Sequence, residues 1–430
     1  MIRSRLGRLS VLVSVLMLAL PALAHAGNEV TKWNEIAVNT VIAQPPITSS
    51  APPAGVFMAM VQGAVYGAVN AADRHGKPYL VNQSFPKADE NAAAATAAYT
   101  VLSTLFPSGT LDTAYAASLA AIPAGSSKDQ GVMVGQMAAA AMLAQGHDSR
   151  TPIGCTFGSG LPGEWTPLPG PGGLPLCDPN PWVANAKPFV ISSPSQFRDA
   201  GPYPLNSAQY TADFNEVKSL GAVNSLTRTA DETHAAVFWQ TNPAVAENAL
   251  GRRFVDEFSM NVADSARMFA MVDLSAADAI INAWNDKYYF NFWRPITAIR
   301  YADDGNPDTV SDPTWTPLFN PLLPAAIAGA GPALVTPPYP EYLSGATTYA
   351  SASMNAFALF FGSDNVGPFY LTSSRFPSDQ RYFMTFSSVV DEVVNARVWA
   401  GIHFRHSDTQ AALLGQEVAD YVHTHLFASQ

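Results

Sequence analysis

Cysteine is nearly absent: Cys155 and Cys177 are the only two in 430 residues. With His147 alone nearby, they lack the ligand partners of a structural zinc site. They bracket the stretch TFGSGLPGEWTPLPGPGGLPL, and in an oxidising compartment they are expected to close it as a disulfide. Charge is also scarce, at 13% of residues, and its balance is acidic, with a formal net charge of −11. That sign argues against nucleic acid and anionic lipid surfaces as partners, and the scarcity makes any group of basic side chains conspicuous. Strand-type alternation is rare, and fixed-period repeats and runs of like charge are lacking. Beyond the N-terminus, no stretch reads as apolar enough to span a bilayer.

Residues 1–26 have the order of a secretory signal peptide. Arg3, Arg5 and Arg8 precede the apolar run LSVLVSVLMLALPALA, and Ala-His-Ala at 24–26 supplies small residues for cleavage near Gly27. The expected location is periplasmic or secreted. Loss of the three arginines would take the formal charge from −11 to −14. The remaining chain is read as an N-terminal extended segment, 27–54, followed by one helical domain, 55–430.

Proline, glycine and serine gather at 150–215, which reads as long ordered loops. Elsewhere helical spacing dominates. Residues 55–73 and 91–106 are alanine-rich helices, continued in style by TLDTAYAASLAAI and KDQGVMVGQMAAAAMLAQG. Helical pattern returns at 211–226, 229–240 and 256–293, with final helices expected at 343–361 and 378–400. The class is all-α, a multi-helix bundle with long Pro/Gly-rich loops. The alanine faces suit a core and a homo-oligomer interface equally.

Three motifs carry candidate chemistry. In KYYFNFWRP, Lys287 and Arg294 are seven residues apart, and at about 100° per residue they share one helical face. Pro295 should end or kink that helix, and Asp286 points elsewhere. In PPYPEYLSGATTYASAS, Ser344 can cap a helix, and the Gly345 amide can approach an anion at the helix N-terminus. In ARVWAGIHFRHSD, Arg397 and His403 converge only if the helix ends near Gly401. Together these residues supply several donors and one imidazole, which suits a tetrahedral oxyanion held by charge-assisted bonds with a nucleophile or ligand at its apex. His403 with His406 lacks a third ligand for zinc. Ser344 also lacks the strand-turn-helix setting of a hydrolase nucleophile.

The order Lys-x6-Arg-Pro, Ser-Gly after a proline loop, and Arg-x5-His resembles the type 2 phosphatidic acid phosphatase (PAP2) and vanadium haloperoxidase superfamily. AVYGAVNAAD and FWRPITAIRYADDGNPDTVSDPTWTP are similar to its secreted bacterial haloperoxidase-like branch. The resemblance implies a helical bundle with a vanadate cofactor, or phosphate in the same pocket, and hydrogen peroxide and halide as small-molecule substrates. It implies His403 as catalytic residue and vanadate ligand, with Lys287, Arg294, Ser344, Gly345 and Arg397 on the equatorial oxygens. Trp284 and Tyr339 fall where haloperoxidases carry aromatics beside the halide.

One departure stands out. The family reads Pro-Ser-Gly-His where this chain has Leu343, Ser344, Gly345 and Ala346, so the acid-base histidine is missing. A weakened haloperoxidase, a phosphatase acting through a phosphohistidine and a non-catalytic phosphate-binding homologue all stay open. His406, Glu341 and Thr347 are near enough in sequence to be substitutes. The family's orienting aspartate, four residues after the last histidine, is Ser407 here, with Asp408 next. His234, in a different helix, reads as a core or surface histidine.

Overall fold

Alanine and glycine dominate the faces on which the longest helices meet, so backbones approach closely and aromatics fill the remaining gaps. The computed structural model describes residues 28–151, 154, 158–170, 173–320 and 334–428. The signal-peptide stretch 1–26 and Cys155 lie outside them. Cys177 is not a free thiol.

The first helices are α1 (Glu29–Ile42), a single turn α2 (Pro46–Ser49), α3 (Ala51–Asp73), α4 (Glu90–Leu105), α5 (Gly109–Ala121) and α6 (Ser126–Ala144). After the loop-rich region come α7 (Ala208–Leu220), α8 (Ala230–Phe238), α9 (Pro243–Glu257), α10 (Val262–Phe290) and the short α11 (Pro295–Arg300). The last are α12 (Gly345–Phe361), α13 (Phe386–Trp399) and α14 (Arg405–Val422). Between α12 and α13 lies an antiparallel hairpin, β1 (Phe369–Thr372) with β2 (Gln380–Phe383), in which Phe369 faces Phe383.

Two helices form the spine. α3 packs on α4, α6 and α10, while α10 packs in turn on α12 and α14. One continuous apolar cluster runs through both groups. The α3 helix is long and apolar enough to cross a bilayer, contrary to the sequence expectation, and its apolar window is wholly buried among its neighbours. Uniform burial of a helix on all sides explains its apolar circumference.

The 27–54 segment is not extended. Val30, Trp33, Ala37, Val38 and Val41 form a buried stripe on α1, and Asn28 caps it by accepting from the Thr31 amide at 3.0 Å. Prolines in this segment occupy helix first turns, where no backbone donor is needed. Helix α14 escapes the sequence reading; its exposed face carries Thr409, Leu413, Gln416, Glu417 and Asp420, so an apolar residue interrupts the polar side. Its inner face, Ala411, Leu414, Val418 and Val422, is buried at helical spacing. The expected 378–400 helix begins only at Phe386, after β2, and α9 was not anticipated.

The Pro/Gly/Ser-rich region is ordered by α10. Buried Asp278 accepts the amides of Phe189, Val190 and Ile191 at 2.6, 2.8 and 2.9 Å. One turn on, Asn282 accepts the Phe197 amide at 3.0 Å. Asp286 pairs with Arg198 at 2.7 Å, so it does point away from the Lys287 side. A loop without its own ladder thus borrows acceptors from a core helix.

Candidate active site

The chain turns sharply after Lys287. Asn291 takes a left-handed conformation (φ 48°) and stops α10 at Phe290. Arg294 therefore lies on the next segment, not on Lys287's helical face, and Pro295 starts α11 instead of kinking α10. The Trp293 amide donates to Gly163 O at 3.0 Å, and the Glu341 amide donates to Phe292 O at 2.8 Å. The second of these bonds brings the 338–344 loop against the Arg294 segment.

Both cations turn inward onto that loop. Buried Lys287 Nζ donates to Pro340 O at 3.1 Å, to Glu341 O at 2.9 Å and to Leu343 O. Arg294 donates through Nε to Tyr339 O at 3.0 Å and through Nη1 to Ile402 O at 2.9 Å. Its Nη1 also lies 3.1 Å from His403 Nε2.

His403 stands where the helix stops. α13 ends at Trp399, and Gly401 turns the chain with φ 75°; a Cβ there would lie 2.5 Å from Gly221 O. The convergence of Arg397 and His403 that required a stop near Gly401 is therefore met. His403 is 2% exposed, and its Nδ1 lies 2.7 Å from Glu341 Oε1. Ser407 Oγ is farther, at 3.5 Å. Glu341 Oε1 also accepts the Phe404 amide at 3.1 Å.

Helix α12 begins at Gly345, and its N-cap Ser344 makes no capping bond to the first-turn amides. The Ser344 hydroxyl instead donates to Thr347 Oγ1 at 3.2 Å, and Thr347 donates to Asp408 Oδ1 at 2.6 Å. The positive end of the helix is thereby left free of a side-chain cap. Gly345 is required by close packing, since a Cβ would lie 2.5 Å from Trp284 Cζ3.

These elements border a cleft of about 370 Å³ lined by Trp284, Tyr339, Gly345, Ala346, Arg397 and His403, among others. Trp284 and Tyr339 lie together with ring centroids 5.0 Å apart, and the Trp284 indole donates to Asp178 at 3.1 Å. Arg397 donates through both terminal nitrogens to Gln240 Oε1 at 3.2 Å, while its buried Nε has no partner. Lys287, Arg294 and Ser344 form the layer behind this wall.

Burial sets the electrostatics. It depresses Lys287 well below its usual range and brings Arg294 down to about 10, with the Arg294 charge adding to the Lys287 effect. Burial, then the Arg294, Lys287 and Arg397 charges, hold the His403 imidazole well below its ordinary value, and therefore neutral. Burial lifts Glu341 to about 8 and Asp408 to about 7. Glu341 Oε2 and Asp408 Oδ2 are buried without partners. The cleft is consequently biased towards binding an anion.

Among the nearby groups, His406 is held away from the cleft by Gly201 O at 3.2 Å and by stacking on Tyr203. Thr347 is tied to Asp408, and His234 pairs with Asp379 at 3.0 Å, outside the cleft. Among the described residues no group of three or more His, Cys, Asp or Glu could hold a metal ion. The contact that sequence reasoning missed is the one between Glu341 and His403. Sixty-two residues separate the two, and no periodicity links them.

A family model described as the VCPO second helical-bundle domain matches residues 267–429. Vanadium chloroperoxidase of Curvularia inaequalis is 31% identical over 177 residues, which are 36% of this chain and 28% of that protein. The chain thus matches less than a third of that relative's length. A solved structure described as the first bacterial vanadium-dependent iodoperoxidase superposes with a TM-score of 0.71 at 21% identity, covering 93% of this chain and 97% of the other. A holo-type bacterial vanadium-dependent chloroperoxidase gives 0.65 at 18% identity, covering 91% and 95%. Residues 267–429, which carry all three motifs, thus match the vanadium chloroperoxidase second helical-bundle domain, and the chain has the all-α fold of the solved bacterial vanadium haloperoxidases.

Proposed function

We propose that this chain is a haloperoxidase-type enzyme that uses vanadate to oxidise halide with hydrogen peroxide, with turnover weakened by Ala346. The observation that carries the reading is the cleft itself. A buried neutral imidazole touches the Arg294 guanidinium and shares the cleft with Arg397 and an uncapped helix N-terminus. The unpartnered Arg397 Nε and the free first turn of α12 fit a tetrahedral oxyanion, whose oxygens demand several donors at once.

Vanadate, when bound, supplies the Lewis-acid centre that activates hydrogen peroxide towards halide. His403 Nε2 would hold it directly. Arg397 and the amides of Gly345 and Ala346, which line the cleft, would hold its oxygens, with Arg294 behind them against His403. Lys287 and Ser344, whose donors go to the loop carbonyls and to Thr347, support the floor that presents those amides. Trp284 and Tyr339 supply an apolar wall beside the site, suited to a weakly hydrated halide. Export and a Cys155–Cys177 disulfide belong to the same proposal.

Ala346 favours one further reading, a phosphate-binding protein that does not turn over, because both haloperoxidase and phosphatase chemistry use the residue it replaces. Bromination of a dye by the purified chain with orthovanadate, bromide and hydrogen peroxide separates these. The expected outcome is vanadate-dependent turnover that disappears in His403→Ala. Phosphate-ester hydrolysis in place of bromination would identify a phosphatase, and phosphate binding without either activity a binding protein.

A further inference from the structure

We infer that Glu341, on the loop before α12, is the positioning residue that fixes the tautomer of His403, in place of the carboxylate that the helix position Ser407 does not supply. The inference deepens the proposed oxyanion site and rests on it for its functional meaning.

The argument is one of donors and acceptors. An arginine side chain only donates, so the 3.1 Å contact from Arg294 Nη1 makes His403 Nε2 the acceptor. With Nε2 accepting, the ring carries no proton there and is the neutral imidazole. Its single proton therefore lies on Nδ1, which donates to Glu341 Oε1 at 2.7 Å. The same oxygen accepts the Phe404 amide at 3.1 Å, so it is aimed from two directions. The Glu341 backbone is itself clamped, its amide on Phe292 O at 2.8 Å and its carbonyl under Lys287 Nζ at 2.9 Å.

Ser407 Oγ lies 3.5 Å from Nδ1, too far for a strong bond but within reach of a longer side chain. Asp408 does not serve, because it is engaged with Thr347 beneath α12. A carboxyl group from the loop thus takes the post that the following helix leaves to a serine, its Oε1 accepting whether or not the group is ionised. With the proton held on Nδ1, Nε2 keeps a lone pair that an oxyanion centre would take over from Arg294 Nη1, the condition for ligation or attack by a histidine.

The test uses the full chain labelled with ¹⁵N-histidine, the His403 signal being identified by its loss in His403→Gln. The expected result is a neutral imidazole protonated at Nδ1 in the wild-type protein, without peroxide or halide. Glu341→Leu is expected to lose that single tautomer and to weaken orthovanadate and phosphate binding about 10–100-fold. Adding Ser407→Asp to Glu341→Leu is expected to restore both. A wild-type His403 protonated at Nε2 would overturn the inference even if the variants fail to fold. So would a folded Glu341→Leu with unchanged tautomer and affinity, or a folded double variant that recovers neither. Because these readouts need no turnover, a failure of bromination alone would count against the proposed activity and not against this assignment.

Discussion

Ala346→His is expected to raise vanadate-dependent halide oxidation about 10²–10⁴-fold, the usual contribution of a positioned acid-base group. Ala346 is the second residue of α12, half-buried on the cleft wall beside Gly345 and across from His403. A cleft of about 370 Å³ has room for an imidazole there. The helix N-terminus disfavours a cation at that point, so the new side chain would be poised to exchange a proton near neutral pH. Steady-state kcat/KM at saturating vanadate is the measurement. An unchanged rate would mean that the departure from an active haloperoxidase goes beyond one side chain.

The second large effect concerns stability. Lys287→Met is expected to destabilise the fold by about 3 kcal/mol or more, because three buried carbonyls lose their shared donor at about 1–3 kcal/mol each. Those carbonyls belong to Pro340, Glu341 and Leu343, on the loop that carries Glu341, Ser344 and Gly345. Removal of a costly buried charge offsets part of the loss, which keeps the expected figure near the lower end. The check is chemical denaturation, with a lower midpoint at unchanged slope. A midpoint equal to wild type would show that the lysine does not clamp the loop.

What was legible in the sequence follows from what is local. The core helices α3, α4, α6 and α10 showed through their spacing, because packing on a helix repeats every few residues. The stop before His403 was readable from Gly401, whose positive φ only a glycine tolerates easily. Helix α14 was not, since polar Ser407 and Asp408 are buried on its inner side while Leu413 is exposed on its outer one, which blurs the pattern. The relation of Lys287 to Arg294 was misread because one left-handed residue, Asn291, breaks the helical phase between them. The Glu341–His403 contact was hidden for a different reason. It exists only because two loops, one clamped by Lys287 and one turned by Gly401, meet across the bundle.

Orthovanadate titration of the purified chain, followed by isothermal calorimetry and repeated with His403→Ala, tests the central claim most directly. The account predicts one saturable site per chain in the wild type, competed by phosphate and greatly weakened in the variant. Absence of saturable oxyanion binding to the folded wild-type protein, or equal affinity in His403→Ala, would contradict it.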